Sequence, residues 1–114
     1  MFLRGFIIGV AMAATYIVLQ VEGQNLPPIR VEDVPLPPAA CDHEPTEPYR
    51  AVVTTLRGVQ YLCAPPPGAV RLACTWPVAR VRVLPTVSWV VTPELLARLE
   101  RHENGHLNCG FWHP

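Results

Sequence analysis

The last thirteen residues of this 114-residue chain carry the side chains best suited to chemistry. They contain His102, Glu103 and His106 in the spacing H-E-x-x-H. Residues four apart on an α-helix lie one turn above each other, so both imidazoles could reach one metal ion. The glutamate would remain as a base that accepts a proton from an activated water. The pattern therefore predicts a Zn²⁺ site with a hydrolytic base.

A helix must position this motif, and the sequence marks both of its ends. Thr92 is a typical N-cap, Pro93 suits the first helical position, and Gly110 suits the position after the last turn. Leu95 and Leu99 lie on the same face as the two histidines, which therefore continue a core-facing stripe. The alternative is a surface helix whose histidines have ordinary partners.

The stretch resembles the active-site helix of the zincin metallopeptidases. The resemblance implies that His102 and His106 are zinc ligands and that Glu103 is the general base. In the metzincin motif a glycine and a third histidine follow, but here Gly110 and His113 each come one residue late. The gluzincins use a downstream glutamate, and no acidic residue follows Glu103. The C-terminal run is more similar to small secreted bacterial zinc-dependent proteases, and the resemblance is faint upstream.

A third metal ligand is needed, and His113 is the favoured candidate. It lies seven residues after His106, and Gly110 could turn the chain back towards the metal. The alternative is an ordinary histidine on a frayed terminus. Cys109 is a rival ligand, although using it would leave an odd thiol. His43 is a more distant candidate.

The N-terminus predicts export. Residues 1–23 have the features of a secretory signal peptide, with Arg4 before an apolar run over residues 6–19. This run is short for a membrane span. We expect a secreted or periplasmic protein, with an uncleaved membrane anchor facing outside as the alternative.

The cysteines fit an exported protein. An oxidising compartment allows the four of them, Cys41, Cys63, Cys74 and Cys109, to form two disulfides in one of three pairings. In one pairing Cys63 and Cys74 close a proline-containing loop, and Cys41 attaches the preceding segment to the helix end at Cys109. The other pairings stay open.

Residues 24–48 differ in composition from the rest of the chain. They hold seven of the fourteen prolines, which excludes a helix or a central strand. We therefore predict an extended, polyproline-like arm. The arm could lie over the active site, but Cys41 favours a strap tied to the folded domain.

The folded unit is predicted over residues 49–114 as an α+β domain, with a small antiparallel sheet and one C-terminal metal-binding helix. Residues 49–56 are predicted to form a strand, 57–58 a turn and 59–63 its hairpin partner. Alternation of valine and arginine predicts a half-exposed strand over residues 78–84. A third short strand is predicted at residues 70–75, and residues 87–91 are predicted to form either another short strand or an extended approach to the helix. By the zincin resemblance, residues 78–84 could pair with an extended peptide substrate, the alternative being a plain sheet strand.

Formal charge is zero overall but uneven along the chain. The arm carries five acids and one arginine, whereas residues 49–114 carry seven arginines and three glutamates. This distribution favours attraction between arm and domain. A nucleic-acid partner is disfavoured because the charge is modest and export is predicted.

The sequence thus predicts a zinc metallopeptidase or related hydrolase that acts on a peptide or peptidoglycan-type amide. Candidate oxyanion stabilisers, unranked, are Tyr49, Tyr61, Arg80 and Arg82. Three alternatives remain: a closed structural zinc site with a fourth protein ligand, a disulfide-stapled binding module, and a chance motif without metal.

Overall fold

The fold is α+β, as predicted, in a computed structural model that describes residues 29–113. The predicted signal peptide lies outside these residues. Within them, three strands form one sheet and two α-helices follow the first and last strands. The elements in chain order are β1 (Arg50–Thr54), α1 (Leu56–Cys63), β2 (Cys74–Trp76), β3 (Val81–Pro85) and α2 (Pro93–Cys109).

The sheet is mixed, so the prediction of an antiparallel sheet is wrong. Its order is β1-β3-β2, with β3 in the centre. Strand β3 pairs parallel to β1, with Val52 opposite Val83, and antiparallel to β2, with Cys74 opposite Val83. A parallel pair needs a long crossover connection, and helix α1 forms part of it.

Helix α1 replaces the predicted turn at residues 57–58 and the predicted hairpin strand at 59–63. The Thr55 hydroxyl caps it by accepting a hydrogen bond from the Gly58 backbone N–H at 3.1 Å. Leu56 and Val59, three residues apart, are both buried. Gly58 allows close packing, because a Cβ there would lie 2.2 Å from Thr54 Oγ1. Gly58 therefore serves the packing of a helix, and the predicted turn is wrong.

Strand β3 is buried along its whole length, which contradicts the predicted exposed face of residues 78–84. Val81 and Val83 pack with Val59 of α1, while Leu84 packs in a second cluster that includes Leu95 of α2. Successive side chains of a strand point to opposite faces, and here a helix covers each face. The strand is therefore the centre of the core.

The other strand predictions are only partly met. The first strand is shorter than residues 49–56, and only Cys74–Trp76 of the third region is strand. Residues 87–91 contain a bend over residues 89–91, where the Ser88 hydroxyl accepts hydrogen bonds from the backbone N–H groups of Val90 and Val91. These two bonds satisfy backbone donors locally, without strand pairing.

The described part of the arm, residues 29–48, is not extended throughout. It contains two short 3₁₀ turns, Val31–Asp33 and Ala39–Cys41. Val34 is buried in the same cluster as Leu95 and Leu99 of helix α2. The arm therefore contributes to the hydrophobic core.

Two disulfides join Cys41 to Cys109 and Cys63 to Cys74, as in the first pairing considered above. Such crosslinks form and persist in oxidising, extracellular compartments. Over residues 29–113, neither α-helix combines the length and the apolar composition needed to cross a bilayer.

Candidate metal centre

Helix α2 begins and ends where the sequence predicts. The Thr92 hydroxyl accepts a hydrogen bond from the Leu95 N–H at 3.1 Å, and Pro93 occupies the first turn. At the other end Gly110 has a φ of 70° and donates its N–H to His106 O at 2.8 Å. This positive φ suits glycine and redirects the chain after the last turn.

The turn at Gly110 brings His113 back against the two histidines of the helix. The Nε2 atom of His113 lies 3.0 Å from Nε2 of His106 and 3.2 Å from Nε2 of His102. One ligand atom from each of the three rings lies within 4.8 Å of the others. The three residues proposed as ligands from the sequence are thus brought together.

Backbone carbonyls orient the two helical histidines. Nδ1 of His106 lies 2.7 Å from Gly110 O, and Nδ1 of His102 lies 2.7 Å from Pro35 O in the arm. A carbonyl oxygen only accepts, so each Nδ1 carries the proton. Each Nε2 then keeps its lone pair and is available to a metal.

Burial favours the neutral form of these two rings. It lowers the pKa of both His102 and His106 below the ordinary histidine value, although hydrogen bonds to Pro35 and Gly110 oppose the shift. A neutral imidazole is the form that binds metal. Both rings therefore favour, at neutral pH, the protonation state that a metal site would require.

The Trp112 side chain packs against the rings of both His102 and His106. Its ring stacks on His106 at 5.2 Å and meets His102 edge-on at 4.8 Å between centroids. Gly105 leaves room for this arrangement, because a Cβ there would lie 2.8 Å from Trp112 Nε1 and 2.6 Å from Pro37 Cβ. Trp112 thus supports the two histidine rings, whereas its neighbour Phe111 is largely exposed at the opening of the cleft.

The rival ligands lie outside the cluster. Cys109 is bonded to Cys41 and has no free thiol. His43 has its Nδ1 2.8 Å from Glu44 O. Within residues 29–113, the metal-ligating cluster contains three histidines and no fourth residue.

Glu103 lies beside the cluster in a buried position. It is 6% exposed, and the Thr75 hydroxyl donates a hydrogen bond to its Oε1 at 2.7 Å. Burial raises the pKa of this carboxyl to about 7, although the Thr75 hydrogen bond and nearby positive charges act in the opposite direction. A carboxyl with such a pKa can both accept and release a proton near neutral pH.

These groups open into one cleft of about 190 Å³. Strand β2 and the segment before it form its other wall. The lining residues are Arg71, Ala73, Cys74, Thr75, His102, Glu103, His106, Phe111 and His113.

The strand beside this cleft is β2, not the strand predicted to meet a substrate. Strand β3 lies between β1 and β2, so its backbone has no free edge. Strand β2 pairs with β3 on one side only, and Cys74 and Thr75 line the cleft. A substrate that pairs with the sheet at this cleft would therefore meet β2.

The four oxyanion candidates do not line this cleft. Arg80 donates hydrogen bonds to the carbonyl oxygens of Glu47, Pro48 and Leu107, which joins the arm to the end of helix α2.

The other three candidates have other partners or are exposed to solvent. Arg82 donates to Asn104 Oδ1 at 2.5 Å and lies over the ring of Tyr49, whereas Tyr61 is 85% exposed. Sequence reasoning missed Thr75 and Arg71, since neither lies in a recognisable motif.

Comparisons with protein-family models, curated proteins and solved structures give no match to this chain. The zincin resemblance therefore rests on the C-terminal sequence motif alone.

Proposed function

We propose that the protein is a zinc-dependent hydrolase of peptide or related amide bonds, with a zincin-like active site. The observation that carries the proposal is the convergence of three imidazole nitrogens and one buried carboxyl on a single cleft. His102, His106 and His113 would hold the metal, and Glu103 would act as the base. The zincin relationship is part of the proposal.

The donor set fits Zn²⁺. Two nitrogens bound tetrahedrally at about 2.0–2.1 Å from zinc lie about 3.3 Å apart. The Nε2 atoms of His106 and His102 lie 3.0 and 3.2 Å from that of His113, close to this value. Three protein ligands would leave a position open, which is typical of catalytic rather than structural zinc sites.

Bound zinc would supply a Lewis acid that polarises the substrate carbonyl and lowers the pKa of water. Glu103 would accept a proton from water in the cleft and return it to the leaving nitrogen. Thr75 holds one carboxyl oxygen of Glu103 in place, so the base needs little reorientation during the reaction. The free edge of β2 would align an extended peptide along the cleft.

The substrate class and compartment follow from the same proposal. We propose a secreted or periplasmic protein, because its two disulfides suit an oxidising compartment and residues 1–23 have the features of a signal peptide. A peptide or peptidoglycan-type amide would be accessible there.

The first test is the metal content of the purified, oxidised protein. We expect about one zinc per chain in the wild type and none in His106→Ala, which removes a ligand. His43→Ala is the matched control, because its ring lies outside the cluster, and it should keep the metal. A folded wild type without zinc would overturn the proposal.

The second step tests catalysis with peptide and peptidoglycan substrates. Glu103→Gln should retain zinc and lose activity by about 10²–10⁴-fold, the usual contribution of general acid–base catalysis. Unchanged activity in this variant would show that the carboxyl is not the base. A wild-type protein that binds zinc but cleaves none of these substrates would favour a structural zinc in a binding protein.

A further inference from the structure

Most arginines of the described domain have partners. Five guanidinium groups form hydrogen bonds or ion pairs within residues 29–113; they belong to Arg30, Arg80, Arg82, Arg98 and Arg101. The side chains of Arg50, Arg57 and Arg71 have no hydrogen bond, ion pair or ring contact within the same residues. Of these three, Arg71 lines the cleft that holds the histidines.

The backbone of Arg71 is fixed although its side chain is exposed. The Gln60 side chain forms two hydrogen bonds to it, accepting from Arg71 N–H at 2.9 Å and donating to Arg71 O at 2.5 Å. The Cys63–Cys74 disulfide closes the loop that contains Arg71. The guanidinium therefore extends from an anchored point and keeps its donors free for a ligand.

Within residues 29–113, no competing anion lies at hydrogen-bonding distance from the Arg71 guanidinium. Glu103, the acidic residue of the cleft lining, is buried and bonded to Thr75, and it forms no ion pair with Arg71. Arginine is always charged and presents paired N–H donors that match a carboxylate. Arg71 thus has no ion-pair partner within residues 29–113, although its charge acts through space on Glu103 beside the proposed reaction centre.

We propose that Arg71 recognises a carboxylate of the substrate, so that the preferred substrate is a peptide or amide with an anionic group next to the bond that is cleaved. This inference rests on the proposed function and defines its substrate class. The carboxylate could be a chain terminus or an acidic side chain, because both offer the same paired oxygens.

Binding of three zinc-directed probes to the zinc-loaded protein tests this proposal by calorimetry. The probes are malonyl-hydroxamate dipeptides that end in Ala-Ala carboxylate, Ala-Ala amide and Asp-Ala amide. We expect one or both carboxylate probes to bind about tenfold more tightly than the neutral amide, a difference of about 1.4 kcal/mol. Which of the two binds better distinguishes a terminal from a side-chain carboxylate.

Substitutions of Arg71 then test whether this residue causes the preference for carboxylate probes over the neutral amide. In Arg71→Gln the preference should disappear while the neutral probe binds as in the wild type, which also shows that the site is intact. Arg71→Lys should keep part of the preference, because lysine retains the charge without the paired geometry. Arg57→Gln is the matched control: its side chain is exposed and outside the cleft, so the preference should be unchanged.

The outcomes separate this inference from the proposed function. Equal binding of all three probes, or a preference that survives in Arg71→Gln, would overturn the role of Arg71 and leave the zinc site standing. A protein that binds neither zinc nor any of the probes would overturn both.

Discussion

Two of the neighbours of helix α2, the proline-rich arm and strand β2, contact different parts of the proposed site. On the arm side, Pro35 O accepts a hydrogen bond from His102 Nδ1. On the strand side, the Thr75 hydroxyl donates to Glu103 Oε1. The arm therefore orients a proposed metal ligand, and the sheet orients the proposed base.

A disulfide fixes each neighbour, but the two crosslinks differ in reach. Cys41–Cys109 joins residues 68 positions apart, whereas Cys63–Cys74 joins residues 11 positions apart. The long crosslink holds together segments that are distant in sequence, next to the carbonyl of Gly110 that orients His106. The comparison shows that a segment resembling a linker in composition can be a structural part of the site.

Removing the disulfides separately should give the largest effects. In a chain-entropy model, the Cys41→Ser, Cys109→Ser protein should lose about 4 kcal/mol of unfolding free energy, and the Cys63→Ser, Cys74→Ser protein about 3 kcal/mol. Zinc affinity should fall about 10–100-fold in the first protein, because the orienting carbonyl of Pro35 is released. Zinc affinity should change little in the protein that lacks the Cys63–Cys74 disulfide.

Urea denaturation and zinc competition titrations measure the two quantities. Each double variant is the control for the other, since both lack one disulfide and keep the three histidines. Equal losses of zinc affinity would contradict a specific role of the arm in orienting His102.

On the strand side of helix α2, we expect the free energy of unfolding to depend on pH through Glu103. Its pKa of about 7 in the folded protein exceeds the ordinary value of 4.5, because burial disfavours the charged form. The stability that this shift provides is present below about pH 4.5 and is lost as the pH rises through 7. Glu103→Gln stays neutral, so the metal-free variant should gain up to about 3 kcal/mol relative to the wild type over this range.

Denaturation of both proteins in chelator at pH 4, 6 and 8 checks this expectation. The difference between them isolates Glu103 from the histidines, whose lowered pKa values act with the opposite sign. A difference that is constant with pH would show that the pKa of Glu103 is the same in the folded and the unfolded protein.

On the arm side of helix α2, we expect a smaller loss of stability when a side chain is added at Gly105. An added Cβ would lie 2.6 Å from Pro37 Cβ and 2.8 Å from Trp112 Nε1. Gly105→Ala should therefore destabilise the protein by about 1–3 kcal/mol, the usual range for overpacking. Thermal denaturation measures this loss.

The sign of the effect is diagnostic, because alanine is the better helix former by about 1 kcal/mol. Ala97→Gly, at an exposed position of the same helix, measures that propensity without a close contact. A stabilised Gly105→Ala protein would show that Pro37 and Trp112 move away from the helix at no cost.

The sequence alone determined the ends of helix α2 and the spacing of its histidines. Local signals were sufficient there, since Thr92, Pro93 and Gly110 act on the backbone within one turn. The same local reasoning failed at Gly58, which indicated a turn. Its lack of a side chain instead allows α1 to approach Thr54.

Tertiary structure decided the remainder. Arg82 belongs to a strand that alternates in sequence, yet it is buried, because Asn104 of helix α2 accepts its hydrogen bond. Pro35 and Thr75 reach the site from segments distant in the chain, and no periodicity or spacing marks them. Helix signals act over a few neighbouring residues and can therefore be read from the sequence. The contacts that orient His102 and Glu103 come from distant segments, so they depend on how the whole chain packs.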